Sequence, residues 1–207
     1  LSLGVVQPSI SNYCSPVVMV RKPGVYPYNP DLPNYRITQD FRALNSVTVF
    51  DAEPMPRIED DLHKFADAAY ITELDITNAY YQVKLTERSR KLTAFPTSRG
   101  LVEYVRLPFG LVTACATYIR LMRRVFSDLS PADSKCVSVY FDNIYVATAD
   151  WSEHVRILRL VLTKLEQHGL TARPSKCRVG YPEIKYLGFT LGRGSVSPVL
   201  DKVSAIS

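Results

Sequence analysis

Two short apolar runs, residues 136–139 and 144–149, flank residues 140–143, whose sequence is Tyr-Phe-Asp-Asn. This arrangement predicts a β-hairpin with its turn at residues 140–143. A turn between two strands can present a carboxylate such as that of Asp142 to a metal ion. The next residue is Asn143, which suits a turn but carries no charge.

A second acidic residue, Asp75, ends another apolar run at residues 70–74. If both runs are strands of one sheet, Asp75 and Asp142 lie at neighbouring strand ends. Two-metal phosphoryl transfer needs such carboxylates, because the ions they hold stabilise the attacking and the leaving oxygen. Taken singly, each acid would be an ordinary strand-end or turn residue.

The chain has 207 residues, which suits one domain or two small ones. Hydrophobic residues make up 46% and charged residues 22%, a soluble globular composition. No apolar run approaches the ~20 residues of a membrane span. The four cysteines lack the spacing of zinc ligands, which favours reduced thiols in an intracellular protein. Because the chain begins at Leu1 and not at Met, we expect a segment of a longer polypeptide.

Charge is distributed unevenly along the chain, whose net charge is +5. Residues 84–124 contain nine basic and two acidic side chains, whereas residues 51–75 contain eight acidic and two basic ones. The basic segment could hold nucleic acid and the acidic segment metal ions. Solvated helix and loop faces would give the same counts, and charge alone does not separate the two explanations.

Turn residues and apolar periodicity divide the rest of the chain into short strands and helices. We predict antiparallel strands at 17–20 and 35–38, a hairpin of 92–95 with 101–105, helices at about 58–65 and 113–128, and a last strand at 185–191 that turns back at 192–195.

A longer helix is predicted to begin after the N-cap Asp150 and to end at Gly169, because Glu153 follows the cap at the third position and glycine commonly follows a helix end. Five of its apolar residues recur at helical spacing, and we predict that this stripe packs in the core: Val155, Leu158, Val161, Leu162 and Leu165.

The order of these elements predicts an α+β fold, an antiparallel sheet with helices packed on one side. A βαββαβ topology fits, in which the first strand carries Asp75 and the central hairpin carries Asp142.

Six motifs resemble the reverse transcriptases of gypsy-class LTR retrotransposons and, more distantly, of retroviruses. In chain order they are SPVVMVRK (15–22), YRITQDFRALN (35–45), LDITNAY (74–80), LPFGL (107–111), YFDN (140–143) and YLG (186–188). The resemblance covers essentially the whole chain and implies the fingers and palm of a right-hand polymerase fold. It implies fingers at about 1–70 and 86–108, palm at about 71–85 and 109–191, and at 192–207 the start of a link to a thumb.

The resemblance implies an RNA-directed DNA polymerase that adds dNTPs to a primer on an RNA or DNA template. Asp75, Asp142 and the backbone carbonyl of Ile76 are implied as ligands of two Mg²⁺ ions, which favour hard oxygen ligands; Mn²⁺ is a substitute. Lys176 is implied as the proton donor to the pyrophosphate leaving group.

Three positions match residues around the incoming nucleotide. Lys22 and Arg36 match the finger bases that bind the triphosphate, since Arg offers phosphate oxygens a planar fork and Lys a point charge. Tyr80 matches a bulky residue whose ring would collide with a ribose 2′-hydroxyl, which predicts a preference for dNTPs.

Four further positions match contacts with the nucleic acid. Phe109 and Gly110 match the contact with the nascent base pair, and Leu187 and Gly188 match the turn that grips the primer. The resemblance also implies flanking protease, RNase H and integrase regions, no membrane, and an intracellular location, in a cytoplasmic virus-like particle or alternatively the nucleus.

Asn143 departs from the family, which has aspartate at this catalytic position. Asp75 and Asp142 supply two negative charges to the ions, where the family supplies three. At ~4 Å and an effective dielectric near ~20, one unit charge contributes roughly 4 kcal/mol, or about three decades of rate. Two hypotheses remain: a working RNA-directed DNA polymerase, or a catalytically impaired or inactive nucleic-acid-binding relic of a retroelement.

Overall fold

The computed structural model describes residues 4–21, 35–55, 65, 67–192 and 195–198. The chain divides into two compact units: unit 1 is residues 1–52 and 80–118, and unit 2 is residues 53–79 and 119–207. The finger and palm boundaries remain predictions. Three predictions fall outside the described residues: most of the helix at about 58–65, Lys22, and the side chain of Arg36. No helix in the described ranges is long and apolar enough to cross a membrane.

Most of the elements are short. In chain order they are β1 (Val6–Pro8), β2 (Val17–Arg21), β3 (Tyr35–Gln39), α1 (Arg42–Val47), β4 (Tyr70–Asp75), α2 (Glu87–Leu92), β5 (Phe95–Thr97), β6 (Gly100–Tyr104), α3 (Ala114–Val125), α4 (Pro131–Lys135), β7 (Val137–Tyr140), β8 (Asn143–Thr148), α5 (Trp151–Gln167), β9 (Arg178–Tyr181), β10 (Glu183–Tyr186), β11 (Phe189–Gly192) and β12 (Ser195–Pro198), with 3₁₀ turns at Ala79–Gln82 and Pro174–Lys176.

Unit 1 contains two small antiparallel sheets. β2 pairs with β3 as predicted, and β6 lies between β1 and β5. The turn of the hairpin predicted for residues 92–95 and 101–105 is confirmed. Its first strand, β5, begins only at Phe95. Residues up to Leu92 form the helix α2, because Thr86 accepts a hydrogen bond from the Ser89 amide and caps it.

A buried carboxylate in unit 1 is fully partnered. Glu103 accepts hydrogen bonds from Gln7 Nε2 at 2.8 Å and from Ser9 Oγ at 2.6 Å. Both of its oxygens therefore have a protein donor, which offsets the cost of burying the charge.

Unit 2 is organised around one four-stranded antiparallel sheet in the order β7-β8-β4-β9. This order is that of a βαββαβ unit, so the predicted topology is confirmed. Successive side chains of β4 alternate between the faces of the sheet. Thr72 faces α5, and Ile71 packs with Ile184 and Leu191 of the β10–β11 hairpin on the other face.

A hydrogen-bonded chain joins α5 to the sheet through the fully buried His154. Its Nδ1 lies 2.9 Å from Thr148 Oγ1, which donates to the Asp150 carbonyl, and its Nε2 lies 2.7 Å from Thr72 Oγ1, which accepts from the Gly180 amide. Since Thr148 must accept from the ring and Thr72 must donate to it, the neutral ring with its proton on Nδ1 satisfies both hydroxyls.

The ends of α5 are as predicted. Asp150 accepts a hydrogen bond from the Glu153 amide at 3.0 Å and caps the helix. Gly169 follows the C-cap with φ +65°, and the Leu170 amide bonds back to the Leu165 carbonyl at 2.8 Å. This pairing closes the last turn, and the left-handed conformation favours glycine.

The predicted apolar stripe of α5 is only partly correct. The residues buried against the sheet are His154, Ile157, Val161 and Leu165. Val155 and Leu162 are 39% and 46% exposed. The buried stripe begins with a histidine, so counting apolar residues alone shifted the predicted face by part of a turn.

The predicted strand at 185–191 is instead a hairpin. Leu187 and Gly188 have φ of +50° and +93° and form the two-residue turn between β10 and β11. β11 then pairs with β12 from Gly192 opposite Ser195, as predicted for the following turn.

Candidate active site

The predicted acidic turn is confirmed as a hairpin turn in unit 2. Tyr140 pairs with Asn143, which leaves Phe141 and Asp142 as the two turn residues. Phe141 has a φ of +48°, an uncommon conformation for a bulky residue. The Ile76 amide donates to the Asp142 carbonyl at 2.7 Å, which ties the end of β4 to this turn.

The side chains of Asp75 and Asp142 interact electrostatically. Burial raises the pKa of Asp142, and the nearby charge of Asp75 raises it further, whereas Lys176 lowers it. Lys176 Nζ lies 3.7 Å from Asp75 Oδ2. The Arg173 amide donates to the Asp75 carbonyl at 2.7 Å, so the segment that carries Lys176 is joined to the end of β4. The structure thus brings together three residues that the sequence singled out.

Asn143 belongs to a cluster that the sequence did not predict. Its Nδ2 donates to Glu73 Oε1 at 3.0 Å and to Tyr145 Oη at 3.1 Å, and Tyr145 Oη donates to the same carboxylate oxygen at 3.2 Å. The alternation of β4 places Glu73 on the face of Asp75, which is a sequence signal for its location. Its partners depend on the register with β8 and could not be inferred from sequence.

Four of the residues described above, Glu73, Asp75, Asn143 and Lys176, border a depression of about 540 Å³ in unit 2. Its lining is mostly polar and comprises Glu73, Asp75, Asn143, Ser175, Lys176, Cys177, Arg178 and Tyr181. Acids and bases from separated chain segments therefore face one space.

The donor set suits Mg²⁺. Within the described ranges, no three or more His, Cys, Asp or Glu side chains converge on one point. Mg²⁺ is commonly held by one or two carboxylates, with substrate phosphates and water completing its shell. Asp75 and Asp142 provide that pair. Burial raises the pKa of Asp142 and the charge of Asp75 raises it further, and a divalent cation would offset both effects.

The residues predicted to contact the nucleotide base and sugar lie in unit 1. The Tyr80 ring packs 5.0 Å from Phe109 and 5.7 Å from Tyr118. Gly110 has a φ of +92°, a conformation that favours glycine. Asn45 holds this loop, since its Nδ2 donates to the Gly110 carbonyl at 2.8 Å and its Oδ1 accepts from the Val112 amide at 2.9 Å. Asn45 ends the motif at residues 35–45, and the sequence alone does not predict this contact.

The other predicted substrate contacts are placed less completely. Leu187 and Gly188 form the exposed turn of the β10–β11 hairpin in unit 2. The backbone of Arg36 lies in β3 opposite Val20. Their contacts with nucleotide or primer remain predictions.

Part of the basic segment has a structural partner. Glu53 forms ion pairs with Arg120, at 3.1 Å, and with Arg123 within unit 2. These two bases offset an acidic neighbour. Not all nine basic side chains of residues 84–124 are therefore available to bind a polyanion.

Three comparisons relate the chain to known proteins. Residues 20–191 match the family described as reverse transcriptase (RNA-dependent DNA polymerase). The chain is 34% identical over 207 residues to the retrovirus-related Pol polyprotein from transposon 297 of Drosophila melanogaster, and 34% identical over 203 residues to that from transposon gypsy of the same organism. The alignments cover 100% and 98% of this chain but 19% of each relative, so the chain spans about a fifth of their length.

Solved structures of the foamy viral protease-reverse transcriptase have a similar fold. The complex with an RNA/DNA hybrid superposes with a TM-score of 0.81 at 24% identity, covering 99% of this chain and 26% of that one. The complex with double-stranded DNA has a TM-score of 0.84 at 24% identity, covering 100% and 35%. The predicted mixed helix and antiparallel sheet fold of a polymerase is confirmed.

Proposed function

The chain belongs to the reverse transcriptase (RNA-dependent DNA polymerase) family, and we propose that it is the fingers and palm of a retrotransposon Pol polyprotein that extends a primer with dNTPs. The observation that carries this proposal is the meeting of Asp75 and Asp142 at the end of β4 and the β7–β8 turn, where burial raises the pKa of Asp142 and the charge of Asp75 raises it further. Unit 2 would be the core of the palm.

Asp75, Asp142 and the Ile76 carbonyl would hold two Mg²⁺ ions. When bound, such ions favour ionisation of the primer hydroxyl and stabilise charge on the transferred phosphate. The chain contributes the orientation of these ligands: the Ile76 amide fixes the turn, and the Arg173 amide fixes the end of β4. Orientation of this kind is what permits attack without further rearrangement.

Lys176 would give a proton to the departing pyrophosphate. Its ammonium carries three N–H donors, and its distance of 3.7 Å from Asp75 Oδ2 keeps it at the acidic site. A cation there also attracts the phosphate groups of the substrate. The segment Pro174–Lys176 is a 3₁₀ turn, and the bond from the Arg173 amide to the Asp75 carbonyl holds its start at the end of β4.

Unit 1 would bind the sugar, base and triphosphate of the incoming nucleotide. The Tyr80 ring, packed against Phe109, supplies a rigid surface that would exclude a ribose 2′-hydroxyl. Gly110 would let the backbone approach the nascent base pair. Lys22 and Arg36 would bind the triphosphate, and Leu187 with Gly188 would support the primer.

The partners follow from the same proposal. We infer an RNA or DNA template paired with a primer, since the foamy viral structures contain an RNA/DNA hybrid and double-stranded DNA. Protease, RNase H and integrase regions would flank this chain in its polyprotein. We place the protein inside the cell, in a cytoplasmic virus-like particle or the nucleus.

Primer extension on an RNA template with Mg²⁺ tests the function. The full polypeptide that carries this chain should extend the primer, and Asp142→Ala should abolish extension while primer–template binding remains. Glu103→Gln in unit 1 is the matched control and should still extend. A native protein that binds primer–template but extends nothing would contradict the proposal and favour the nucleic-acid-binding relic.

A further inference from the structure

The side-chain amide of Asn143 has one orientation that fits its neighbours. An ionised carboxylate only accepts hydrogen bonds, so the group 3.0 Å from Glu73 Oε1 must be Nδ2 and not Oδ1. Tyr145 Oη accepts from the same amide and donates to the same carboxylate. These three contacts form a closed triangle that turns Asn143 Oδ1 away from Glu73.

The register of β4 and β8 fixes this triangle. Glu73 pairs with Tyr145 and Asp75 pairs with Asn143, so the four side chains occupy two successive rows of one sheet face. Asn143 therefore has one carboxylate directly opposite and another on the diagonal. Aspartate at position 143 would add a third negative charge to these rows, and like charges facing each other destabilise a sheet.

We propose that Glu73 is a positioning residue of the active site: it holds the Asn143 amide, and its charge replaces the acid that the turn lacks. This inference rests on the proposed polymerase function. Glu73 lines the same depression as Asp75, Asn143 and Lys176. Because Glu73 Oε1 accepts from both Asn143 and Tyr145, Glu73 acts through Asn143 and through the local electric field.

An aspartate at position 143 then destabilises this chain unless residue 73 is neutral. The pair of positions carries one negative charge in the native chain, two in Asn143→Asp, none in Glu73→Gln, and one again in the double variant. Glu73→Gln keeps an oxygen that can accept from Asn143, so it removes the charge with little change of shape.

Unfolding of the full chain in urea, without metal, tests the interaction between residues 73 and 143 independently of activity. The single tryptophan, Trp151, lies in unit 2 and reports its unfolding. Asn143→Asp should lower the folding equilibrium constant, and adding Glu73→Gln should restore it, with a coupling of roughly two- to a hundredfold. The matched control is Asn143→Asp with Glu103→Gln, which removes a carboxylate that also accepts from a side-chain amide, and it should not restore the constant.

The Mg²⁺ concentration that gives half-maximal primer extension tests whether the charge of Glu73 replaces the missing acid at position 143. It should rise several-fold in Glu73→Gln and return to within about threefold of the native value in the double variant. The proposal is overturned if Glu73→Gln rescues Asn143→Asp no better than Glu103→Gln does, or if Asn143→Asp alone is stable and extends faster than native. A native protein that extends nothing counts against the polymerase function, whereas the unfolding cycle still decides whether Glu73 holds residue 143.

Discussion

Each compact unit holds a glutamate against a side-chain amide, and the two pairs differ in their surroundings. In unit 1, Glu103 is 6% exposed, and Gln7 and Ser9 bond to its two oxygens. In unit 2, Glu73 is half-buried, and both of its donors, Asn143 and Tyr145, reach one oxygen. A glutamate paired with a side-chain amide is thus a buried contact in unit 1 and part of an acidic depression in unit 2.

The difference shows that partners and neighbours, more than residue type, determine what a carboxylate can do. Glu103 is almost fully buried, and each of its oxygens accepts a hydrogen bond from a protein side chain. The face that carries Glu73 also presents Asp75, whose counter-charge is the half-exposed Lys176. Carboxylates of the first kind should affect stability, and those of the second kind should affect chemistry.

The largest effect should come from Asp75→Asn in unit 2. Losing one unit charge at ~4 Å and an effective dielectric near ~20 costs roughly 4 kcal/mol, so the extension rate should fall by about a thousandfold. The shape of the side chain is retained, and the urea midpoint should change little. Single-turnover primer extension measures the rate. A rate within tenfold of native would remove Asp75 from the chemistry and break the contrast between the units.

Glu103→Gln should show the opposite pattern. The introduced glutamine has only one terminal oxygen and cannot accept from Gln7 and Ser9 through two separate atoms, so one contact is lost and the other loses its charge assistance. The expected loss of stability is about 1–3 kcal/mol, measured by urea unfolding. Extension at a temperature where the variant is folded should match native. A large loss of rate without a loss of stability would show that this pair also serves the reaction.

Much of unit 2 was predictable because local signals there agree with the tertiary structure. The alternating run that ends at Asp75, the turn at residues 140–143 and the caps of α5 all appear as predicted. Each depends on neighbours in sequence, since turn chemistry and strand period act over a few residues.

The failures occurred where a distant contact decides the conformation. Leu187 adopts φ +50° in a two-residue turn that the apolar pattern of residues 185–191 does not show, although the resemblance implied a turn at Leu187 and Gly188. α2 is an exception: its cap is a local contact between Thr86 and Ser89, but none of its residues is buried, so no apolar period revealed it. The partnership of Glu73 with Asn143 depends on the register of β4 and β8, which a single sequence does not contain.

Tyr80 in unit 1 should affect selectivity more than rate. Tyr80→Ala removes the ring that packs against Phe109, so the preference for dNTPs over NTPs should fall by about tenfold. Tyr80→Phe keeps the ring and is the matched control. The measurement is kcat/KM for a dNTP and for the corresponding NTP. If Tyr80→Ala lowers both values equally, the ring supports the fold of unit 1 and does not select the sugar.

The smallest effect should be a loss of stability in acid that is specific to unit 2. Burial lowers the pKa of His154 below its ordinary value of 6.5. The unfolded chain therefore binds a proton at a pH where the folded chain does not, so His154 favours folding fully above pH 6.5 and progressively less as the pH falls from 6.5 towards the lowered pKa. The slope cannot exceed about 1.4 kcal/mol per pH unit for one group. The physical reason is that burial disfavours the charged ring. In addition, a protonated ring could not accept the hydrogen bond from Thr72 on Nε2. Urea unfolding is followed by Trp151 fluorescence at about pH 7.5 and about pH 5.5, on either side of the ordinary histidine pKa. It should show this slope in the native chain and a smaller one in His154→Gln.

The control His168→Gln, at the exposed end of α5, should retain the slope. An equal loss of slope in both variants would assign the acid sensitivity to another group.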